Sequence, residues 1–411
     1  MAKPKIRFNG YTEDWEQRKL NEIADKVSEK NKNNEFSEPF TNSAEQGIIS
    51  QKDYFDREIV NNENLNGYYI VRNDDFIYNP RISVTAPVGP INRNRLGRKG
   101  VMSPLYTVFR THDIDNVYLE FYFKTTRWHR FMKLNGDSGA RFDRFTISST
   151  QFMEMPIPYP TLEEQQKSGE YFESLDHLIT LHQRKCEQTK TLKKYMLQKM
   201  FPQDGEKVPQ IRFEGFTEDW EQRKLGDLVD RVTRKNQDLV SELPLTISAQ
   251  YGLIDQNEFF DKRVASKDVS GYYLIENGEF AYNKSTSTDA PWGAIKRLDR
   301  YENGVLSTLY IIFGIKENNP VDSDFLVSYY STNLWHKGIH EIAAEGARNH
   351  GLLNIAPADF FATRLMIPQD IEEQKKIGKY FIELEALITL HQRKCDELKE
   401  VKKFMLQNMF V

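Results

Sequence analysis

Two short stretches of this chain combine residue types that can bind a metal ion. His182 lies four positions before Cys186, and His391 lies four positions before Cys395, each within an identical nonapeptide, LITLHQRKC. Histidine and cysteine at this spacing on a helix can donate two ligands to zinc. A step of four also places both residues on one helix face, where they can pack against another element. We expect packing and no metal site.

Two further sets of residues suggest other chemistry. Aromatic side chains can stack on nucleic-acid bases, and adjacent acids can act as paired carboxylates. Both sets have a simpler explanation, because the aromatics lie in a repeated stretch typical of a core, and acids in a first helical turn stabilise the helix dipole. We expect this simpler role for the aromatics Tyr11, Trp15, Phe216 and Trp220 and for the acids Glu163, Glu164, Glu372 and Glu373.

Basic residues cluster after a Tyr-Asn pair that begins at Tyr78 and again at Tyr282. Arginine and lysine bind phosphates, and arginine, serine and threonine contact base edges, so these segments suit a DNA groove. A solvated, variable loop is the alternative. The predicted DNA-contacting residues are Arg81, Ser83, Thr85, Arg93, Arg95, Arg98, Lys99, Arg127, Arg141 and Arg144 in the first half and Lys284, Ser285, Thr286, Lys296, Arg297 and Arg348 in the second half, where acids offset more of the cations.

The composition limits the class of protein. With 411 residues the chain is long enough for two or three domains, and 39% apolar and 28% charged residues describe a globular protein. No run of about 18 apolar residues occurs, the first residues lack the apolar core of a signal peptide, and two cysteines suit a reducing compartment. We therefore expect a cytoplasmic protein. The net charge of −4 neither indicates nor excludes nucleic-acid binding, which depends on where cations cluster.

Two copies of one unit of roughly 200 residues make up the chain. IRFNGYTEDWEQRKL at Ile6 returns as IRFEGFTEDWEQRKL at Ile211, and GYYIVRNDDFIYN at Gly67 returns as GYYLIENGEFAYN at Gly271. Each copy begins with short β-like runs punctuated by glycine and proline, which predicts an α/β module. We place the two modules at residues 1–158 and 204–368.

Each copy ends in a segment with helical periodicity. Apolar positions step by three and four, which predicts helices of about 40 residues at 159–203 and 369–411, with Thr161 and Asp370 as N-caps. A helix about 60 Å long cannot bury such a seam alone, so we expect the two helices to pair as a coiled coil. The short linker between the copies favours an antiparallel pair with pseudo-twofold symmetry. The predicted seam consists of Phe172, Leu175, Ile179, His182 and Cys186 with Phe381, Leu384, Ile388, His391 and Cys395.

The order of module, helix, module, helix resembles the specificity (S) subunit of type I restriction-modification systems. The resemblance covers nearly the whole chain and includes W-x-x-x-K-L at Trp15 and Trp220 and a Glu-Glu-Gln run at Glu163 and Glu372. It implies an α+β fold in which two target recognition domains each read one half of a bipartite double-stranded DNA target, while the helices set the spacing. It also implies two modification subunits, which methylate adenine with S-adenosylmethionine, and two restriction subunits that use ATP and Mg²⁺. No cofactor is expected on this chain.

Sequence motifs for the reactions themselves are missing. The chain has neither D-P-P-Y nor N-P-P-Y, and it has no phosphate-binding G-x-x-x-x-G-K-[ST] loop. We therefore expect a protein that is not an enzyme and that does not bind membranes. Two alternatives remain beside the specificity subunit: a stand-alone regulator with two DNA-binding modules, and a coiled-coil scaffold that binds other proteins.

Overall fold

A computed structural model describes residues 3–54, 65–137, 143–203, 205–248, 251–288, 290–317, 321–343 and 351–411. The chain divides into two compact units. The first unit comprises Met1–Gln183 together with Arg393–Val411, and the second comprises Arg184–Gln392. Each unit therefore contains one sequence repeat's module and parts of both long helices.

The described part of the first repeat forms short strands and helices followed by one long helix. In chain order these are β1 (Glu16–Lys19), α1 (Leu20–Ile23), β2 (Ala24–Lys26), β3 (Phe40–Ser43), β4 (Gly47–Ser50), α2 (Gln51–Tyr54), β5 (Tyr69–Val71), β6 (Phe76–Tyr78), β7 (Ile91–Arg93), β8 (Gly100–Met102), β9 (Thr107–Thr111), α3 (Asn116–Phe123), α4 (His129–Asn135), α5 (Ser149–Met153), β10 (Pro156–Tyr159) and α6 (Leu162–Lys199).

The second repeat has the same order of elements. They are β11 (Glu221–Lys224), α7 (Leu225–Leu228), β12 (Val229–Val232), β13 (Leu245–Ser248), β14 (Gly252–Asp255), α8 (Gln256–Phe260), β15 (Tyr273–Glu276), β16 (Phe280–Asn283), β17 (Ala294–Arg297), β18 (Asn303–Leu306), β19 (Ile311–Ile315), α9 (Ser323–Tyr329), α10 (His336–Ile342), α11 (Pro357–Ala362), β20 (Arg364–Ile367) and α12 (Ile371–Asn408). We call β1–β10 with α1–α5 the first module, and β11–β20 with α7–α11 the second module.

Both modules have the same sheet topology. A four-stranded antiparallel sheet has the order β2-β9-β6-β7 in the first module and β12-β19-β16-β17 in the second. The two-stranded ladders β1-β10, β3-β4 and β5-β8 likewise correspond to β11-β20, β13-β14 and β15-β18. The duplication found in the sequence is therefore a duplication of fold.

The larger core cluster of each module brings residues of its four-stranded sheet together with residues of its helices. Phe76 and Phe109 stack on neighbouring strands, with ring centroids 5.4 Å apart, and Phe280 and Phe313 do so in the second module at 5.3 Å. Trp15 and Trp220 are 3% and 2% exposed, which confirms their predicted place in the core. Tyr11 and Phe216 are only half-buried and lie near the cations of Lys167 and Lys376.

The two long helices begin where the sequence predicts. Thr161 Oγ1 accepts a hydrogen bond from the Glu164 amide at 3.3 Å, and Asp370 Oδ1 accepts one from the Glu372 amide at 2.8 Å. Both predicted N-caps are thus confirmed. The helices then lie close to their modules at two glycines, because a Cβ on Gly169 would be 3.0 Å from Val117, and a Cβ on Gly378 would be 2.6 Å from the Phe325 amide.

Within each unit, parts of α6 and α12 pair antiparallel. In the first unit Phe172 stacks on Phe410 at 5.7 Å, and Asp176 pairs with Lys402. Residue numbers therefore increase along α6 in the direction in which they decrease along α12. In the second unit Phe201 lies 5.9 Å from Phe381, and Lys193 pairs with Glu385 at 2.5 Å. The expected antiparallel direction is confirmed.

Most of the predicted seam residues are buried. Phe172, Leu175, Ile179, Cys186, Phe381, Leu384 and Cys395 are each less than 9% exposed, whereas His182, Ile388 and His391 are half-buried. The Cys186 thiol lies 3.8 Å from both the Ile388 carbonyl oxygen and Gln392 Oε1. Both cysteines are free thiols.

Candidate nucleic-acid interface

A polar cleft opens on the surface of the first module. It has a volume of about 270 Å³ and lies between the turn that joins β3 to β4 and the loop that follows β6. We call it the recognition cleft. It is lined by Asn42, Ser43, Ala44, Glu45, Gln46, Tyr54, Asn79, Arg81, Ile82, Ser83, Thr85 and Pro90.

Hydrogen bonds between side chains and the backbone fix the floor of the recognition cleft. The side-chain amide of Asn42 donates to the Ile77 carbonyl oxygen at 2.6 Å. The side-chain amide of Asn79 donates to the backbone carbonyl oxygen of Asn42 at 2.8 Å. Asn92 donates to Asn42 Oδ1 at 2.7 Å. Because these groups are mutually satisfied, the cleft has a defined shape before any ligand binds.

The loop that follows β6 in the first module, and the corresponding loop after β16 in the second, each require a glycine near their end. Gly89 has a φ of 85°, and a Cβ there would lie 2.1 Å from the Asn79 carbonyl oxygen. Gly293 has a φ of 79°, and its Cβ would lie 2.2 Å from the Asn283 carbonyl oxygen. Only glycine suits this backbone and this close approach. The loop is therefore built in the same way in both modules, although its side chains differ.

Arg81, Ser83 and Thr85, three of the predicted DNA-contacting residues, line the recognition cleft. All three are exposed. The hydroxyl of Ser83 lies 3.2 Å from that of Thr85 and accepts a hydrogen bond from the Ala86 amide at 3.1 Å, so this part of the loop is ordered by its own side chains.

The guanidinium groups of three other predicted residues bind carboxylates of the first module itself. Arg93 and Arg95 donate to the same Glu120 oxygen at 2.8 and 2.7 Å. Arg98 binds both oxygens of Glu38 at 2.8 Å. An arginine held in such pairs has fewer N–H groups to offer DNA, which the sequence did not reveal because both acids are remote in the chain.

The remaining predicted residues of the first module are not among those that line the recognition cleft. Lys99 lies 5.6 Å from the ring of Phe36, and Arg127 donates to the Gln407 carbonyl oxygen at 2.6 Å. Arg144 is exposed and forms an isolated antiparallel bridge with Arg81. Arg141 lies outside the described residues.

In the second module some of the predicted residues are exposed, and others already bind groups of the module itself. Ser285 is exposed, and the Thr286 hydroxyl donates to the Gly351 carbonyl oxygen at 3.1 Å. Arg297 pairs with Asp299 at 2.6 Å and with Asp324 at 2.7 Å, so two carboxylates of the same module balance its charge. Arg348 lies outside the described residues.

Two lysines of the second module are partly withdrawn from solvent. Burial lowers the pKa of Lys296, and the neighbouring charge of Lys193 lowers it further. Burial also lowers the pKa of Lys284, which lies near Arg231. These surroundings disfavour the charged form of each lysine.

The two modules differ at the positions that surround the recognition cleft. In the aligned elements Asn42 corresponds to Ile247, Gln46 to Tyr251, Arg81 to Ser285 and Arg144 to Leu352. The scaffold positions agree, since Tyr78 donates to the Val88 carbonyl oxygen at 2.9 Å just as Tyr282 donates to that of Trp292 at 2.9 Å. One scaffold thus presents two different surfaces.

Neither a metal site nor a membrane span is evident in the described part of the chain. No group of three or more His, Cys, Asp or Glu side chains among the described residues is arranged to hold a metal ion. No helix among those same residues is long and apolar enough to cross a membrane.

The fold defines a tandem-repeat protein, in which one scaffold occurs twice on one chain beside two long helices. Residues 12–191 match the family described as type I restriction modification DNA specificity domain. Over these residues the chain is similar to a type I restriction-modification specificity domain, and the resemblance found in its sequence is confirmed there.

A solved structure shares the fold. The S subunit of a type I restriction-modification system from M. genitalium matches with a TM-score of 0.59 at 11% identity, over 100% of this chain and 99% of that chain. The HsdS subunit from Thermoanaerobacter tengcongensis matches with a TM-score of 0.49 at 14% identity, over 98% of each chain. A comparison with curated proteins found no match. The M. genitalium structure agrees with the predicted fold class of two α/β modules in tandem with two long helices.

Proposed function

We propose that this chain is the DNA sequence-recognition subunit of a type I restriction-modification complex. Each module reads one half of an asymmetric, bipartite target in double-stranded DNA. The paired helices set the spacing between the half-sites. The chain itself is non-catalytic and acts by placing partner enzymes at the target.

The observation that carries this proposal is the combination of one repeated scaffold with two different surfaces. Backbone turns and core contacts recur in both modules, whereas Arg81 and Arg144 are replaced by Ser285 and Leu352. A common fold with different surface chemistry is what reading two unlike half-sites requires, because base edges are distinguished by side-chain donors and acceptors.

The partners follow from the family. We propose two modification subunits, which methylate adenine, and two restriction subunits, with S-adenosylmethionine, ATP and Mg²⁺ bound by these partners.

Exchange of one module tests the proposal. Residues 1–158 would be replaced by the corresponding module of another specificity subunit, and methylated adenines would be mapped in cells that also express the modification subunit. The first half-site should change while the second half-site and the spacer persist. A simultaneous change in both half-sites would contradict the modular assignment.

The two alternatives give different results in mobility-shift assays on duplex DNA. A stand-alone regulator would bind specifically without any partner, and a protein-binding scaffold would not bind DNA under either condition. The proposed specificity subunit should bind its target tightly only when the modification subunit is present.

A further inference from the structure

Arg81 and Arg144 face each other across two short segments of the first module. The Ile82 amide donates to the Asp143 carbonyl oxygen at 3.0 Å, and the Phe145 amide donates to the Pro80 carbonyl oxygen at 2.7 Å. These two bonds flank the Arg81–Arg144 bridge, so the arginines occupy a non-hydrogen-bonded antiparallel pair. Side chains at such a pair leave the same face, with Cβ atoms about 4.5 to 5.5 Å apart.

Neither arginine has a carboxylate within ion-pair distance among the described residues. This contrasts with Arg93, Arg98 and Arg110 of the same module, whose guanidinium groups lie 2.7 to 2.8 Å from an acid. Like charges placed directly opposite each other destabilise a β pair. The two arginines therefore do not stabilise the fold through this pairing, and their position is suited to binding an electronegative group.

The second module shows that the backbone does not need the arginines. The Thr286 amide donates to the Gly351 carbonyl oxygen at 2.7 Å, and the Leu353 amide donates to the Lys284 carbonyl oxygen at 2.9 Å. The bridge inside these bonds joins Ser285 to Leu352, neither of which is charged. The arginine pair is thus a feature of the first surface alone.

The composition of the recognition cleft indicates which electronegative group fits. Arg81 shares the cleft with Glu45, whose carboxylate would repel a phosphate. A G·C base pair satisfies both side chains, because guanine N7 and O6 accept from arginine in the major groove while the cytosine amino group donates to a carboxylate. Asn42 and Gln46 add further amides to the same cleft.

We propose that the Arg81–Arg144 pair and Glu45 form a G·C-reading site in the first module, with Arg81 binding the guanine edge. The inference rests on the proposed function, because it assigns a base pair to one half-site of the bipartite target. The second half-site is read without this site.

The test uses the full-length chain assembled with its modification subunit and a randomised library of duplex DNA. Target motifs are determined for the wild type and for Arg81→Ala, Arg144→Ala and Glu45→Ala. The control is Arg130→Ala, since Arg130 is also exposed and has no ion pair among the residues with a described position. Arg81→Ala should relax one guanine position of the first half-site, with roughly tenfold or greater loss of discrimination, and should leave the second half-site intact.

A modified base sharpens the test. Replacing that guanine with 7-deazaguanine removes the N7 acceptor, so wild-type binding should weaken about tenfold while binding by Arg81→Ala should not change further. If Arg81→Ala weakens binding to all sequences equally and keeps the motif, Arg81 contacts phosphate and the inference is wrong.

The result for the wild type separates the two proposals. A wild-type complex that selects no sequence overturns the proposed function and the G·C site together. A wild-type complex that selects a bipartite motif insensitive to Arg81 and to 7-deazaguanine overturns the G·C site alone.

Discussion

The guanidinium group of Arg7 and the carboxylate of Glu164 form a two-point ion pair, with Nε to Oε1 at 2.6 Å and Nη2 to Oε2 at 2.8 Å. Glu164 is 1% exposed and also accepts a hydrogen bond from Trp15 Nε1 at 3.2 Å. The second repeat has the same pair between Arg212 and Glu373, at 2.6 and 2.8 Å. Each pair joins the segment before the module to the first turn of a long helix.

Arg7→Ala should destabilise the first unit by about 3 kcal/mol, because it leaves the buried Glu164 carboxylate without its cation. Replacing both partners, as in Arg7→Met with Glu164→Leu, should cost less than the single change. Denaturant unfolding of the two variants measures the difference. The control is Lys190→Ala, which breaks an exposed pair with Glu187 and should cost under about 1 kcal/mol. Equal losses for Arg7→Ala and Lys190→Ala would contradict a buried, structural pair.

The Arg98–Glu38 pair should contribute stability that depends on pH. Hydrogen bonds from Arg98 lower the pKa of the Glu38 carboxyl from its ordinary value of 4.5. The contribution is therefore present above about pH 4.5 and is lost as the pH falls through the lowered pKa of the folded state. The difference in Tm between wild type and Arg98→Ala should shrink as the pH falls below this range. A difference that stays constant from pH 7 to pH 3.5 would show that the pair does not stabilise the fold by charge.

Arg98→Ala should also leave the methylated motif unchanged, since both Glu38 oxygens already engage its guanidinium group. Methylation mapping beside Arg81→Ala provides the comparison. A motif altered by Arg98→Ala would show that the ion pair opens when DNA binds.

The half-length chain, residues 1–203, should form a dimer that directs methylation to a symmetric target built from the first half-site. In the first unit Phe410 packs 5.5 Å from Tyr118 and 5.7 Å from Phe172. The half-length chain lacks Phe410, but Phe201 is its counterpart in the second unit and packs 5.8 Å from Phe325. We expect Phe201 of a second copy to occupy the empty position.

Sedimentation and methylation mapping of the half-length chain check this expectation, with Phe201→Ala as the matched variant. The variant should dissociate at concentrations where the wild-type fragment is dimeric. A soluble monomer, or a fragment that still directs methylation to the asymmetric target, would contradict the prediction.

Lengthening both helices should lengthen the spacer of the target. Four residues inserted after Cys186, with four more after Cys395, extend each helix by about 6 Å. If the helices hold half-sites about one DNA turn apart, the spacer should grow by one or two base pairs while the half-sites stay the same. Methylation mapping reads the spacer directly, and an unchanged spacer would exclude the helices from setting it.

The sequence by itself determined the duplication, the two long helices and their starting points. These features depend on local patterns: a repeat visible by alignment, apolar residues at steps of three and four, and capping side chains at Thr161 and Asp370. The antiparallel direction also followed from the sequence, because the linker is too short for the alternative.

Only the tertiary structure decided which charged side chains are available to a ligand. Arg81 and Arg98 look alike in the sequence, yet Glu38 holds Arg98 and no described acid holds Arg81. Glu164 lies in a first helical turn, as predicted, but it is chiefly the buried partner of Arg7, 157 residues away in the chain. The physical reason is that ion pairs join groups from distant parts of the chain, and no local pattern records which of them meet once the strands have paired.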